Sequence, residues 1–184
     1  MSWLRRHIRR FAGDESGVIT VEFLILFPLL VWAYMASFVF FDMLRATSQH
    51  QKASFVISDM LSRETEYITP TYIDNSMKLF DFLMRVDRNN ALRISSIGYD
   101  EENETYDVVW SQARGGKQAL VDSDIENWDD RLPLLAAGDE LILVETWYDY
   151  KIAWGQFDMS DLNLHSFVYT RPRFAAVLKY NANG

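Results

Sequence analysis

Nineteen consecutive residues, 23–41 (FLILFPLLVWAYMASFVFF), carry no charge. Extending the run back to Val18 adds only Thr20 and Glu22 as strongly polar groups. A helix of about 20 such residues is long enough to cross the hydrocarbon of a bilayer. Its apolar character runs all the way round, which a helix packed on a soluble core does not need. A cleaved secretory signal has a shorter apolar stretch, of about 7–15 residues, and a small-residue cleavage site. Tyr34-Met35-Ala36-Ser37 is a poor version of such a site. The pattern therefore predicts a transmembrane helix over residues 18–41.

Beyond residue 42 the apolar positions become periodic. Ala53, Val56, Ile57, Met60 and Leu61 fall at i, i+3, i+4, i+7 and i+8. The spacing predicts that the helix continues to about Glu66 with one face on a core. Thr69-Pro70 has the form of an N-cap followed by proline at the first helical position. A second helix follows to about Val86, with Ile73, Met77, Phe80 and Met84 on one face. Alternating, β-branched and aromatic runs then predict antiparallel strands at 92–99, 106–112, 140–151, 167–169 and 174–180. Asp100-Glu101-Glu102-Asn103-Glu104 reads as a hairpin connection, and 121–138 as an acidic, irregular insertion with one short helical turn. The fold class is α+β: a long N-terminal transmembrane helix continuing into a globular domain with a second helix and an antiparallel sheet.

Charge orders these parts. Residues 1–17 hold Arg5, Arg6, Arg9 and Arg10 against Asp14 and Glu15, a balance of +2, whereas residues 42–184 balance at −9. The positive-inside rule then predicts a cytoplasmic basic leader (1–17), the membrane helix (18–41) and an extracytoplasmic domain (42–184). An acidic domain repels phosphates, so nucleic acid is not an expected partner. The chain has no cysteine, which removes disulfides, thiolate metal sites and cysteine nucleophiles. Glu22 is the anomaly, a carboxylate one turn into the apolar stretch. It is read either as an interfacial side chain that snorkels or as a group awaiting a positive partner.

At Gly17-Val18-Ile19-Thr20-Val21-Glu22-Phe23, a glycine, four residues, a glutamate and an aromatic run into the apolar helix. This resembles the prepilin-peptidase site of type IV pilin-like proteins. The wider pattern, Arg9-Arg10-Phe11, Asp14-Glu15-Ser16-Gly17, Val21-Glu22-Phe23 and Phe27-Pro28-Leu29-Leu30, resembles the TadE-like pseudopilins of tight-adherence (Flp-type) pilus systems, most strongly over residues 5–50. Arg171-Pro172-Arg173 is similar to a late motif of such proteins. Phe23 stands where major Flp pilins carry tyrosine, and the large soluble domain departs from those short pilins. Both differences point to a minor pilin or pseudopilin. The resemblance implies cleavage between Gly17 and Val18 by a prepilin peptidase, and pairing of Glu22 with the new amine during assembly. It also implies a helix kinked or loosened at Pro28, a pilin-like domain, and location in a bacterial inner membrane, with or without passage into a pilus after processing. Implied partners are other pilins or pseudopilins through the helix, the peptidase and the inner-membrane pilus platform.

Other candidate chemistry is weaker. Asp122, Asp124, Glu126, Asp129 and Asp130 form the densest acidic cluster; residues 122–126 begin like a calcium loop, but Asn127 replaces the turn glycine and Pro133 the bidentate glutamate, so a solvated acidic loop is the better reading. His7, His50 and His165 lack zinc spacing. Gly115-Gly116-Lys117 lacks the P-loop frame, and no G-x-S-x-G element occurs. Asn103-Glu104-Thr105 reads as turn chemistry. Trp147, Tyr148, Tyr150 and Trp154 fit sheet packing better than a partner groove. No cofactor and no enzymatic activity are expected. A permanently anchored, uncleaved accessory protein that scaffolds the secretion machinery stays open as the alternative.

Overall fold

A computed structural model describes residues 18–85, 89–136, 138–151 and 162–183, together with His7 and Arg10. The chain divides into two compact units, Met1–Asp42 and Met43–Gly184. One helix, α1 (Val18–Ser62), contributes to both and runs through Pro28 without a break. Proline has no N–H to give the carbonyl of residue 24, so that group is the one left over.

In the first unit every side chain from residue 20 to 34 is exposed. The most apolar stretch of the helix has none of its residues buried. Among the described residues this is one helix long and apolar enough to cross a membrane. The rings of Phe23 and Phe27 lie 5.2 Å apart, one turn from each other. The Ser37 hydroxyl donates to the Ala33 carbonyl at 2.9 Å, so this polar group is satisfied within the helix itself.

The second unit holds the rest of α1, then α2 (Pro70–Met84), β1 (Ala91–Asp100), β2 (Thr105–Arg114), the single-turn α3 (Asp122–Ile125), β3 (Glu140–Tyr150) and β4 (Leu162–Thr170). The sheet is antiparallel in the order β2-β1-β3-β4. Thr69 caps α2, its hydroxyl accepting from the Tyr72 N–H at 3.2 Å, and Arg85 ends the helix in the left-handed conformation. The period of two sorts the strand residues between two layers. Leu92, Ile94, Ile142 and Val144 face the helices and pack with Ile57, Leu61, Ile68, Ile73 and Leu178. Tyr148 and Tyr150 extend that layer against Ala53, Phe80 and Met84. The opposite face, with Ile97, Leu141 and Leu143, is covered by Leu120, Ile125, Leu132 and Leu135 of the β2–β3 connection. Residues 141–146 are buried on both faces, as expected of a central strand covered on two sides.

Three details differ from the pattern-based reading. The helix stops at Ser62, and Val56 is exposed; the face on the sheet is lined by Ala53, Ser54, Ile57, Ser58, Leu61 and Ser62, mostly small residues that let helix and sheet approach closely. The last strand is longer and earlier than expected, beginning at Leu162. Residues 174–180 do not form a strand and retain one parallel bridge, Ile68 to Tyr180. There the alternation has no ladder to join. The Leu178 carbonyl accepts from the Trp110 indole at 2.6 Å, and the Arg173 N–H donates to Ser62 at 2.8 Å.

Gly115 and Gly116 separate conformational strain from crowding. Both have positive φ, +77° and +79°. A Cβ on Gly115 would lie 2.0 Å from the Asn90 carbonyl oxygen, whereas a Cβ on Gly116 meets nothing within 4 Å. Gly116→Ala should cost about 1–2 kcal/mol through backbone conformation alone. Gly115→Ala should cost clearly more, because the start of β1 must shift as well. Urea unfolding of the two variants in the same detergent checks the order; equal losses would contradict the crowding argument.

Candidate functional site: the start of the long helix

Of the residues singled out by the pilin-like motif, Gly17 lies outside the described residues, and Val18 is the first residue of α1. Glu22 is four residues further on, one turn along the same side of the helix. Its carboxylate is exposed and has no ion-pair partner among the described residues. Phe23 is 60% exposed, and its ring leans on Phe27 rather than on any other element. The helix thus presents one carboxylate and a continuous apolar surface with none of the described residues of its own unit over it. Such a surface can bind lipid or other apolar helices. It has neither the enclosure nor the convergent polar groups that bond-making chemistry needs.

The most enclosed polar group is in the second unit. His50, 1% exposed, sits between the rings of Phe80 and Tyr148 at 5.8 and 6.1 Å. Its Nε2 is 2.9 Å from the Thr146 hydroxyl, which is 2.6 Å from the Ser54 hydroxyl. Ser54 donates to the His50 carbonyl at 2.9 Å. The single hydroxyl proton of Ser54 is therefore used, so Thr146 donates to Ser54 and in turn accepts from a neutral imidazole N–H. The three groups look like a hydroxyl–imidazole relay, yet Ser54 and Thr146 are fully buried and no substrate reaches them. They join α1 to β3.

On the other face of the sheet, Glu145 is 2% exposed and directly opposite Arg93. The guanidinium reaches its Oε2 at 2.5 Å, and His165 of β4 lies 3.3 Å from Oε1. The Trp147 ring stacks on His165 at 4.8 Å, with Arg93 and Lys117 near it at 5.2 and 4.9 Å. The sequence reading did not find this cluster, because β1 and β3 are neighbours only after a crossover and their register is not written locally. Of the aromatics proposed for sheet packing, Tyr148 and Tyr150 are buried and Trp147 is half-buried, while Trp154 lies outside the described residues.

Two carboxylates of the acidic segment accept from backbone. Asp122 accepts from the Val108 N–H at 2.7 Å, and Asp124 from the Val121 N–H at 3.1 Å. Asp107, nearby, has its pKa raised by partial burial and by the charges of Asp122 and Asp100. Asn103 donates to Asp100 at 2.6 Å and closes the β1–β2 turn, in which Glu104 takes a φ of 55°. Arg171 reaches Asp139 and the Leu134 carbonyl, and Arg173 reaches Asp59; these contacts place the late Arg-Pro-Arg element within the fold. Comparison of the chain with protein-family models, curated proteins and solved structures finds no match.

Burial lowers the His50 pKa from 6.5 to about 4, assisted by the nearby His165 and opposed by a hydrogen bond to Thr146. The unfolded chain therefore binds a proton at a pH where the folded chain does not. The stability conferred by a neutral His50 is complete above pH 6.5 and is lost as the pH falls through the folded value near 4. The loss should approach about 3 kcal/mol. Denaturation midpoints of the detergent-solubilised protein, compared with His50→Gln between pH 8 and 4, isolate this contribution; parallel profiles would contradict it.

Proposed function

We propose that this chain is a TadE-like minor pilin or pseudopilin that takes part in assembly of a tight-adherence, type IV-like pilus. It acts by assembly, not as an enzyme. A prepilin peptidase cuts after Gly17, where the absence of a side chain lets the backbone approach the catalytic groups. The chain is held single-pass in a bacterial inner membrane, its N-terminus cytoplasmic and its pilin-like α+β domain periplasmic. The observation that carries this reading is an apolar helix, uncovered among the described residues, with one exposed carboxylate at its start that none of them pairs, continuous with a folded domain.

Cleavage would place a cationic amine on residue 18, one turn from Glu22. In a bundle of such helices, Glu22 would pair with that amine on its own chain or on a neighbouring pilin. In an apolar setting an unpaired charge is expensive, so the pair sets the register of the incoming subunit. Pro28 leaves one carbonyl free for a neighbouring helix to satisfy. The inner-membrane pilus platform would receive the processed subunit.

Glu22→Ala should leave membrane insertion intact or slightly improved, because it removes a charge from lipid. Leader removal should survive. Assembly should fail, since leaving one charge buried without its partner costs on the order of 3–5 kcal/mol, a few hundredfold or more in association. Glu22→Gln should be nearly as damaging, and Glu22→Asp should give a partial defect. Pilus or subcomplex formation in strains carrying each variant checks this, with insertion measured in parallel. Normal assembly by both the alanine and the glutamine variants would reduce Glu22 to a snorkelling side chain.

A further inference from the structure

The tip of the β1–β2 hairpin combines an accessible amide with a turn that does not depend on it. Asn103, Glu104 and Thr105 are all exposed, and Glu104 takes a φ of 55°. The Asn103 Nδ2 donates to Asp100 Oδ2 at 2.6 Å. The other oxygen of Asp100 accepts from the backbone N–H of Glu102 at 2.9 Å and that of Asn103 at 3.4 Å. The strands pair right up to the turn, Tyr99 with Tyr106 and Asp100 with Thr105. Tyr106 is buried and anchors the base of the hairpin, its hydroxyl donating to the Pro133 carbonyl at 3.2 Å. The Asn103 amide can therefore leave Asp100 while the backbone contacts keep the turn closed. A single hydrogen bond between exposed groups is readily exchanged for one to water.

Asn103-Glu104-Thr105 is the one Asn-x-Ser/Thr triplet in the chain. Glu101 places a carboxylate two residues before the asparagine, as in the extended acceptor of bacterial transferases. Such a triplet on a surface loop is an acceptor for oligosaccharide transfer, the hydroxyl two residues on being part of what is recognised. A transferase can engage both groups only where amide and hydroxyl lie outside the packed part of the domain, and here both are exposed. We infer that Asn103 is an N-glycosylation site that takes an oligosaccharide from a lipid-linked pyrophosphate donor. In that step the amide nitrogen bonds to the anomeric carbon of the first sugar. The bond from that carbon to the pyrophosphate oxygen breaks, and the lipid pyrophosphate leaves with the electron pair. One amide proton passes to a base of the transferase. The glycan then projects from the hairpin tip into solvent and displaces no core side chain. Transfer takes place outside the cytoplasm, so this rests on the reading above of an extracytoplasmic domain.

Peptide mapping by mass spectrometry of the protein purified from its native membrane tests this. The peptide that carries residue 103 should be heavier by one oligosaccharide. Asn103→Gln and Thr105→Ala should each lose that mass, whereas Thr105→Ser, which keeps the hydroxyl, should retain it. All three variants should keep the wild-type circular dichroism spectrum, because Asp100 and the strand ladder hold the turn. In parallel, protease added to spheroplasts reports which side of the membrane the domain occupies. A domain that is digested yet carries no sugar at residue 103 overturns this inference alone, as does a mass gain that survives Asn103→Gln. A domain that is protected overturns the extracytoplasmic reading, and this inference with it.

Discussion

A long apolar helix surface that nothing described in its own unit covers is the constraint on which the rest of this protein depends. Residues 20–34 are exposed on every side of α1, and their burial in water-free surroundings must come from lipid or from other helices. At about 25 cal/mol per Å² of apolar surface, the drive to leave water exceeds the net stability of an ordinary domain. Within that surface Glu22 is the one carboxylate, so any partner helix meets either a continuous greasy stripe or this acidic group. An apolar stripe tolerates many registers, and a single charge tolerates few. That contrast is the physical basis for reading the segment as an assembly element rather than an inert anchor.

The same helix changes character after Asp42. Along its second half the face on the sheet is built from Ala53, Ser54, Ile57, Ser58, Leu61 and Ser62, small and branched residues in alternation. The hydrogen-bonded set of His50, Ser54 and Thr146 pins this face to the central strand at one register. Apolar packing alone would allow the helix to slide by a turn at modest cost, whereas a slide here parts the His50 imidazole and the Thr146 hydroxyl, both buried, from the partners they have across the helix–sheet seam. Neutral His50 thereby contributes specificity as well as packing, and confers a stability that depends on pH.

Much of this was legible in the amino-acid pattern, and for identifiable reasons. The charge-free run at 23–41 is a one-dimensional signal that no tertiary contact overrides. Thr69-Pro70 announced α2 because capping is a local interaction. The strands 92–99, 106–112 and 140–151 were visible from alternation and β-branching. The failures came where partners are remote in sequence. Val56 matched the helical period but faces outward, since the hydroxyl-bearing Ser54, Ser58 and Ser62 occupy the sheet side. Residues 174–180 alternate as a strand does, yet the carbonyls of Leu178 and Lys179 are taken by Trp110 and Ile68 rather than by a ladder. The Arg93–Glu145 pair required a strand register that only the crossover establishes. At the start of the helix, Val18, Glu22 and Phe23 share α1, and the role read from their spacing is a proposal.

The central claim is that the basic leader is removed so that a new cationic amine can meet Glu22. Intact mass of the protein purified from its native membrane tests it most directly. The account predicts a mature chain that begins at Val18, and full-length chain only when Gly17→Leu blocks the cut. Recovery of only the full-length wild-type chain from cells with an active prepilin peptidase would contradict it, and would favour an uncleaved, membrane-anchored scaffold.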